Sequence, residues 1–150
     1  RPPAKPRSAT CDDRGMPELY GREHVERYRA TDGEEGHYWR RALVLLLTTT
    51  GRKSGEKRTT PLLYGRRGDD VVLIASNGGA PAHPPWYLNL KADPEVEVEI
   101  TGERFKSRAR EATPEERPEL WRTMAGYYPP YDEYQEKTDR VIPVLVAEPA

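Results

Sequence analysis

Residues 41–50 read RALVLLLTTT, and after the first arginine every side chain is apolar or β-branched. Such a run is typical of a strand that is buried on both faces. The polar stretch Gly51–Lys57 predicts a tight turn, and Arg58–Gly65 predicts a second strand. A link this short makes the two strands antiparallel, because parallel neighbours need a crossover of about a dozen residues or more.

The same pattern of short strands continues along the chain. Further strands are predicted over Val71–Ser76, Glu95–Thr101, Arg104–Glu111 and Val141–Val146. In Glu95–Thr101 valine and isoleucine alternate with glutamate, which predicts that the glutamates face solvent. In the last strand Pro143 indicates an edge or a bulge, because proline cannot donate to a sheet.

Short helices are predicted to flank these strands. They are expected over Glu23–Arg29, over Trp86–Ala92 and from Pro114 onward, and the tyrosine-rich segment Tyr127–Tyr134 is expected to end in a helical turn. Thr113 and Glu116 predict a capping box at the start of the third helix. Six strands with one helix between the third and the fourth predict a mainly β, antiparallel barrel over residues 19–150. Residues 1–18, rich in proline and charge, are expected to form a flexible arm.

Composition narrows the possible functions. With 24 basic and 25 acidic residues the net charge is −1, whereas a dedicated nucleic-acid binder is usually more basic. The longest apolar run, Ala42–Leu47, is far shorter than the ~20 residues of a membrane helix. Cys11 is the only cysteine and the three histidines lack ligand spacing, so no metal site is predicted. A cytoplasmic protein is expected, with peripheral membrane contact left open.

The stretch TTTGRKSGEKR at residues 48–58 is the first candidate for ligand binding. Gly51–Gly68 holds six cations and one anion, which indicates a surface that meets a negatively charged ligand. Two glycines are expected to let backbone amides turn toward a phosphate, with hydroxyls and cations around them. A solvated hairpin tip is the alternative, since glycine, serine and lysine are common there as well.

Three further segments suit a flat or aromatic ligand. Ile74–Gly79 reads IASNGG, whose small residues let a ring approach the backbone or simply end a strand. Pro84–Leu90 reads PPWYLNL, in which Trp86 and Leu90 predict either core packing or a stacking wall. Four tyrosines within residues 127–134 predict either a packed flap or a wall for an aromatic substrate, and the sequence leaves both open.

In this order, the segments closely resemble the deazaflavin-dependent nitroreductases, actinobacterial reductases that use coenzyme F420. The resemblance rests on LLTTTGRKSG with Arg58, on ASNGG, on PWYLNL, and on YDEYQ with TDR. It runs from about residue 20 to 149 and includes TDGEEG at residues 31–36. It implies a split β-barrel and a reductase that transfers a hydride from reduced 8-hydroxy-5-deazaflavin to a quinone-like or nitro-aromatic acceptor.

The resemblance also implies a set of site residues. The phosphate and acidic tail of the coenzyme would meet Arg52, Lys53, Ser54 and Arg58. The ring and its side chain would lie along Thr60, Pro61, Leu62, Leu63, Ile74, Ala75, Ser76, Asn77 and Gly78, with Pro85, Trp86, Tyr87 and Asn89 closing the pocket. The catalytic residues would be Ser76, Tyr128, Tyr131 and Tyr134, which could hydrogen-bond the oxyanion that develops on the acceptor.

Two positions depart from the family pattern. Leu63 stands where the best-known nitroreductase has tyrosine, and Tyr64, one place later, would point to the opposite face of its strand. Asn77 stands where many members have lysine. These changes predict that cofactor use is kept and that nitroimidazoles are poorer acceptors.

Two other functions fit the same barrel. A flavin-mononucleotide-dependent oxidoreductase would purify yellow, and a non-catalytic carrier would bind reduced deazaflavin without oxidising it. The sequence leaves open the physiological acceptor, the proton donor and the oligomeric state.

Overall fold

The computed structural model describes residues 19–39 and 42–150. The arm predicted over residues 1–18 lies outside this part, as does the Arg41 start of the first predicted strand. The helices are α1 (Gly21–Ala30), α2 (Pro85–Ala92), α3 (Arg117–Tyr127) and α4 (Pro130–Lys137), with a single 3-10 turn at Asn77–Gly79. The strands are β1 (Tyr38–Trp39), β2 (Ala42–Thr50), β3 (Lys57–Leu63), β4 (Gly65–Arg67), β5 (Asp70–Ile74), β6 (Glu95–Ile100), β7 (Glu103–Glu111) and β8 (Val144–Pro149).

The strands form one antiparallel sheet that curls into a half-barrel. Its order is β1-β2-β6-β7-β8-β5-β4, and β3 pairs with the other edge of β2. The longest pairing joins β2 to β3, from Val44 opposite Leu63 to Thr50 opposite Lys57. The predicted antiparallel barrel is confirmed, and the short strands β1 and β4 raise the number of strands from six to eight.

Both faces of β2 are buried, as its sequence predicts. Leu45 and Leu47 point into the barrel, where they join the main core. Val44 and Leu46 point outward and pack against Tyr28 of α1. Each fully buried leucine of this kind contributes about 1.5–3 kcal/mol relative to an exposed one. On the far side of the barrel, the outer faces of β5 and β8 are covered by α3 and α4.

Two predicted strand boundaries are wrong. The last strand begins at Val144, so Pro143 precedes it, and the Pro143 carbonyl instead accepts a hydrogen bond from the Ala75 amide at 3.0 Å. The second predicted strand is broken at Tyr64, a buried residue at which the chain leaves β3 and starts β4. Arg66 and Arg67, which follow the predicted strand, pair with β5.

The third helix starts later than predicted. The capping box is present, with the Thr113 amide 2.8 Å from the Glu116 carboxylate and the Glu116 amide 3.2 Å from the Thr113 hydroxyl. Residues 114–116 nevertheless form a turn, and the helix begins at Arg117. Pro118 therefore occupies the first helical turn, a position that tolerates proline because its missing amide would have had no partner there.

Glu99 corrects the prediction that every glutamate of β6 faces solvent. Its side chain is only 3% exposed. Its carboxylate accepts hydrogen bonds from Arg29 of α1 and Arg104 of β7, each at 3.1 Å. Helix α1 covers this face of the sheet, which the alternation of residues along β6 cannot reveal. A buried carboxylate is tolerated because both arginines pair with it.

None of the helices in the described residues combines the length and apolar character that a membrane span requires.

Gly33 joins α1 to the end of β6, and its replacement by alanine should destabilise the fold. Gly33 has φ +86°, and a Cβ there would lie 2.8 Å from the Thr101 Cα. Gly55 is a matched control, since it has φ +74° with no atom near its Cβ position. Both Gly→Ala changes incur the left-handed strain of about 1–2 kcal/mol. Only Gly33→Ala adds a backbone clash, which should cost about 1–3 kcal/mol more.

Urea unfolding of both variants and of the wild type measures the difference. We expect Gly33→Ala to lose distinctly more free energy of unfolding than Gly55→Ala. Equal losses in the two variants would show that the Gly33–Thr101 contact does not constrain the fold.

Candidate functional site

Two adjoining cavities lie around strand β3 and helix α2. The aromatic cavity measures about 600 Å³ and is walled mainly by apolar and aromatic side chains. The basic cavity measures about 640 Å³ and is walled by the turn after β2 together with α1 and α2. Both volumes lie within the ~300–1,000 Å³ common for small-molecule sites. The residues that line both cavities are Gly21, Thr60, Pro61, Pro85 and Trp86.

Most of the predicted site residues line one or both of these cavities. Those in the aromatic cavity are Thr60, Pro61, Leu62, Leu63, Ile74, Ser76, Asn77, Gly78, Pro85, Trp86, Tyr128, Tyr131 and Tyr134. Those in the basic cavity are Arg52, Lys53, Ser54, Arg58, Thr60, Pro61, Pro85, Trp86 and Asn89. The four sequence segments therefore meet, although they lie up to about 80 positions apart in the chain.

Three tyrosines from the end of α3 and from α4 form one wall of the aromatic cavity. The hydroxyls of Tyr128 and Tyr134 are 3.1 Å apart, and the Tyr131 ring stands edge-on to the Tyr128 ring at 5.0 Å between centroids. Burial raises the pKa of the Tyr131 phenol above its usual range. The tyrosines are packed together and also line the cavity, so their role as a wall for an aromatic substrate stays a prediction.

The loop after β5 lines the same cavity, beside the tyrosine wall. Asn77, Gly78 and Gly79 all have positive φ, at +48°, +64° and +82°. At Gly79 a Cβ would lie 2.9 Å from the Tyr134 carbonyl oxygen, so α4 packs directly on this loop. At Gly78 no atom lies within 4 Å of the Cβ position, which leaves open space beside the backbone. Gly79 thus allows the close packing of α4 on the turn, and Gly78 leaves space beside the backbone.

Residues 60–63 of strand β3 also line the aromatic cavity. Leu63 lines the aromatic cavity, whereas Tyr64 is buried and its hydroxyl lies 3.1 Å from Nε2 of His37. Burial raises the pKa of the Tyr64 phenol. The prediction that Tyr64 does not replace a tyrosine at position 63 is consistent with this orientation.

The turn after β2 is held by its own hydrogen bonds. The Gly51 amide donates to the Glu56 carbonyl at 2.7 Å and the Gly55 amide donates to the Gly51 carbonyl at 2.8 Å. The Ser54 hydroxyl accepts a hydrogen bond from the Glu56 amide at 3.1 Å. The two glycine amides are therefore used within the turn and do not face a ligand.

Asn89 fastens this turn to helix α2. The buried Asn89 side chain accepts hydrogen bonds from the Arg52 amide at 3.1 Å and from the Arg52 guanidinium at 3.3 Å. It also donates to the Thr49 hydroxyl at 3.2 Å. Asn89 and Trp86 are three residues apart and lie on the same face of α2, so both reach the basic cavity.

Most of the arginine and lysine side chains around the basic cavity have no carboxylate partner, or only a weak one, in the described residues. Within the described residues, no carboxylate forms an ion pair with Arg22, Arg52 or Lys53. Arg58 meets only the exposed Glu56, at 3.5 Å, a kind of surface pair that contributes about 0–1 kcal/mol. The cavity therefore presents a positive field to any ligand that enters it.

Two predicted residues line neither cavity. Ala75 is fully buried in the barrel core. Tyr87 follows Trp86 on α2 and so points in another direction, toward Glu111, to which its hydroxyl donates at 2.5 Å. Burial, together with this carboxylate, raises the pKa of Tyr87 to about 12.

The sequence did not reveal the contribution of α1 and its neighbours. The lining residues outside the predicted set are Leu19, Tyr20, Gly21, Arg22, His24, Val25, Trp39, Val44, Gly51, Lys57, Thr59 and Pro84. His24 is buried, and its Nε2 donates to the Gly36 carbonyl at 2.7 Å. Burial lowers the pKa of this imidazole. Trp39 packs on Tyr128 at 6.0 Å between ring centroids. The apolar face of α1 predicts packing, but no local signal tells which elements it covers.

No group of three or more metal-ligating side chains occurs in the part of the chain that the structure describes.

Residues 19–149 match the family model described as F420H(2)-dependent quinone reductase. An F420H(2)-dependent quinone reductase of Mycobacterium tuberculosis is 42% identical over 76 residues, which are 48% of this chain and 50% of that protein. A second quinone reductase of that species, given as putative, is 37% identical over 75 residues, 50% of this chain and 63% of that protein. The matched region thus spans about half the length of the first relative.

Two solved structures match a larger part of the chain than these relatives do. An F420-H2 dependent reductase is 46% identical, covers 70% of this chain and 93% of its own, and superposes with a TM-score of 0.65. A structure described as a domain-swapped dimer is 44% identical, covers 85% of this chain and 96% of its own, and has a TM-score of 0.68. The family match, these superpositions and the half-barrel agree: the chain belongs to the F420H(2)-dependent quinone reductase family.

Proposed function

We propose that this protein is a reductase that uses reduced coenzyme F420 to reduce a quinone-like acceptor. The observation that carries the proposal is the pair of adjoining cavities, one aromatic and one basic. Coenzyme F420 has the matching shape, because a flat deazaflavin ring is joined to a phosphate and a chain of glutamates. The family and the solved reductases support the same activity.

The side chains present fit this cofactor at both ends. In the aromatic cavity Trp86, Pro61 and Leu63 offer flat or apolar surface to a ring. In the basic cavity Lys53 and Arg52 have no carboxylate partner within residues 19–39 and 42–150, so an anionic tail would neutralise them. These residues would hold the ring and the tail of the coenzyme, respectively.

The side chains of the aromatic cavity suit positioning and charge stabilisation. The described lining contains no cysteine, lysine or carboxylate, so a covalent mechanism through such a group has no support. When bound, reduced deazaflavin supplies a hydride. The protein then has to place the acceptor and stabilise the negative charge that develops on its oxygen.

We assign that task to the hydroxyls of Ser76 and the three tyrosines, all of which belong to residues that line the aromatic cavity. Tyr131 keeps its proton at neutral pH, because burial raises the pKa of its phenol. Tyr128 and Tyr134 lie within hydrogen-bond distance of each other, so one can donate to the acceptor while the other orients it. The apolar residues around them, such as Ile74 and Trp39, exclude water and strengthen these hydrogen bonds.

Leu63 supports a quinone over a nitroimidazole as the acceptor. The side chain at position 63 lines the aromatic cavity without a hydroxyl, and the Tyr64 hydroxyl lies beside His37 instead. We predict that the protein oxidises reduced F420 faster with a naphthoquinone than with a nitroimidazole. Stopped-flow or steady-state absorbance of the cofactor measures both rates. Comparable turnover of the two acceptors would contradict the role assigned to Leu63.

The same assay tests the tyrosine wall. Tyr134→Phe removes a hydroxyl from the cavity, whereas Tyr127→Phe removes one from a side chain that is 54% exposed and outside both cavities. Loss of an oxyanion donor typically lowers kcat by about a hundredfold to a thousandfold. Because the Tyr128 and Tyr134 hydroxyls are hydrogen-bonded to each other, Tyr128 should compensate in part, and we expect kcat to fall by about tenfold or more. Tyr127→Phe should match wild type. Equal effects of the two changes would make the Tyr134 hydroxyl structural only.

The basic cavity generates a separate prediction about cofactor affinity. Lys53→Ala or Arg58→Ala should weaken F420 binding by about tenfold to a hundredfold, since a hydrogen bond to a charged group is worth about 1.5–3 kcal/mol. Arg66 and Arg67 are the matched controls, because both cations line neither cavity and Arg67 already pairs with Glu116 at 2.7 Å. Fluorescence titration of the four alanine variants measures the dissociation constants.

Raising the salt concentration should weaken binding to the wild type more than to Lys53→Ala, because exposed charges are screened within ~10 Å at 0.1 M salt. If the Lys53 and Arg58 variants bind F420 like the wild type, the segment is a solvated hairpin tip and the tail lies elsewhere.

A further inference from the structure

Arg140 follows helix α4 and bridges several groups of the loop after β5. Its guanidinium donates to the carbonyl oxygens of Ala75 at 3.2 Å, Ser76 at 2.6 Å and Ala80 at 2.9 Å. It also lies 3.0 Å from Nδ1 of His83. Since a guanidinium only donates, Nδ1 of His83 accepts this hydrogen bond. All three nitrogens of one side chain are thus engaged with a single segment of the chain.

These contacts set Arg140 apart from the arginines in ion pairs. Within residues 19–39 and 42–150, no carboxylate pairs with Arg140, so carbonyl dipoles are what compensates its charge. Burial lowers the pKa of this guanidinium, which agrees with a side chain withdrawn from water. An arginine held in this way fixes the geometry of the backbone that it contacts.

The loop needs such support because it has few hydrogen bonds of its own. Three successive residues with positive φ turn the chain, and Asn77 among them is not a glycine. Within the loop, the Gly79 amide donates to the Ser76 carbonyl at 2.9 Å and the Ala80 amide donates to the Asn77 carbonyl at 3.1 Å. The Asn77 side-chain amide also donates to the Ala82 carbonyl at 3.0 Å. A non-glycine residue in the left-handed region is strained and persists only when its surroundings hold it.

We propose that Arg140 is a positioning residue that fixes Ser76 relative to the tyrosine wall, an inference that rests on the proposed function. Ser76 of the loop and Tyr131 and Tyr134 of α4 line the same aromatic cavity. Arg140 lies three residues after the end of α4 and holds the loop through its carbonyl oxygens, so it links the loop to α4. Gly79 completes the link through its close packing against the Tyr134 backbone.

Lysine cannot replace arginine in this role. A single ammonium group cannot span three carbonyl oxygens and an imidazole that lie in different directions, whereas the planar guanidinium presents five donors. The conservative change Arg140→Lys keeps the positive charge but removes the planar guanidinium. It therefore shows which of the two the loop requires. The exposed Arg108, which pairs with Glu95 on the outer surface, offers a matched arginine for control.

The experiment compares wild type, Arg140→Ala, Arg140→Lys and Arg108→Ala in two measurements. The first is steady-state oxidation of reduced F420 by a naphthoquinone. Both Arg140 variants should lose about tenfold to a hundredfold in kcat, since misplacing a reacting group by ~1 Å has effects of this size. The KM for F420 should change by less than about threefold, because the contacts to the tail are untouched. Arg108→Ala should match wild type.

The second measurement is amide hydrogen exchange in the cofactor-free protein. The Gly79 and Ala80 amides should exchange about tenfold faster or more in both Arg140 variants, because the loop opens more often. The Ala109 amide, bonded to the Pro94 carbonyl at 2.9 Å, should be unchanged in all proteins. If Arg140→Ala does not fold, both measurements are made on Arg140→Lys alone.

Wild-type kcat and exchange in Arg140→Lys would overturn the inference, and so would an equal loss in Arg108→Ala. If wild type itself fails to oxidise reduced F420 with the quinone, the proposed function is wrong. The exchange rates of Gly79 and Ala80 would still decide, independently, whether Arg140 holds the loop.

Discussion

Strand β2 is buried on both faces and paired along both edges, and the candidate site depends on this arrangement. One edge holds β3, whose residues 60–63 line the aromatic cavity, and the other edge holds β1 and β6. Its outer face packs against α1, which brings Arg22 and His24 to the cavities. The strand also ends at the basic turn. A change that displaced β2 would therefore move β3, α1 and the basic turn together.

Charged side chains occur in two contrasting arrangements around the sheet. On the side of the sheet covered by α1, the buried Glu99 is matched by two arginines, so its charge is compensated within the protein. At the basic cavity, Lys53 and Arg22 line the opening without a carboxylate partner in the described residues. The first arrangement stabilises the fold, and the second leaves positive charge available to an anionic ligand.

The sequence predicted most of the elements and much of the site, because both depend on local patterns. Hydrophobic runs located the strands, and glycine, proline and tyrosine marked segments that the fold then brings together. The sequence could not predict features that arise from distant packing. The burial of Glu99 depends on α1, the contact of Tyr87 with Glu111 depends on how α2 packs on the barrel, and the contacts of Arg140 depend on where α4 ends.

The central claim is that one continuous site holds an elongated deazaflavin coenzyme in preference to an ordinary flavin. Fluorescence titration of the purified protein with F420 and with flavin mononucleotide, under the same buffer and salt, tests it most directly. The account predicts tighter binding of F420 by about tenfold or more, because its glutamate chain adds charge-assisted contacts to the basic cavity. Tighter binding of flavin mononucleotide would contradict the account.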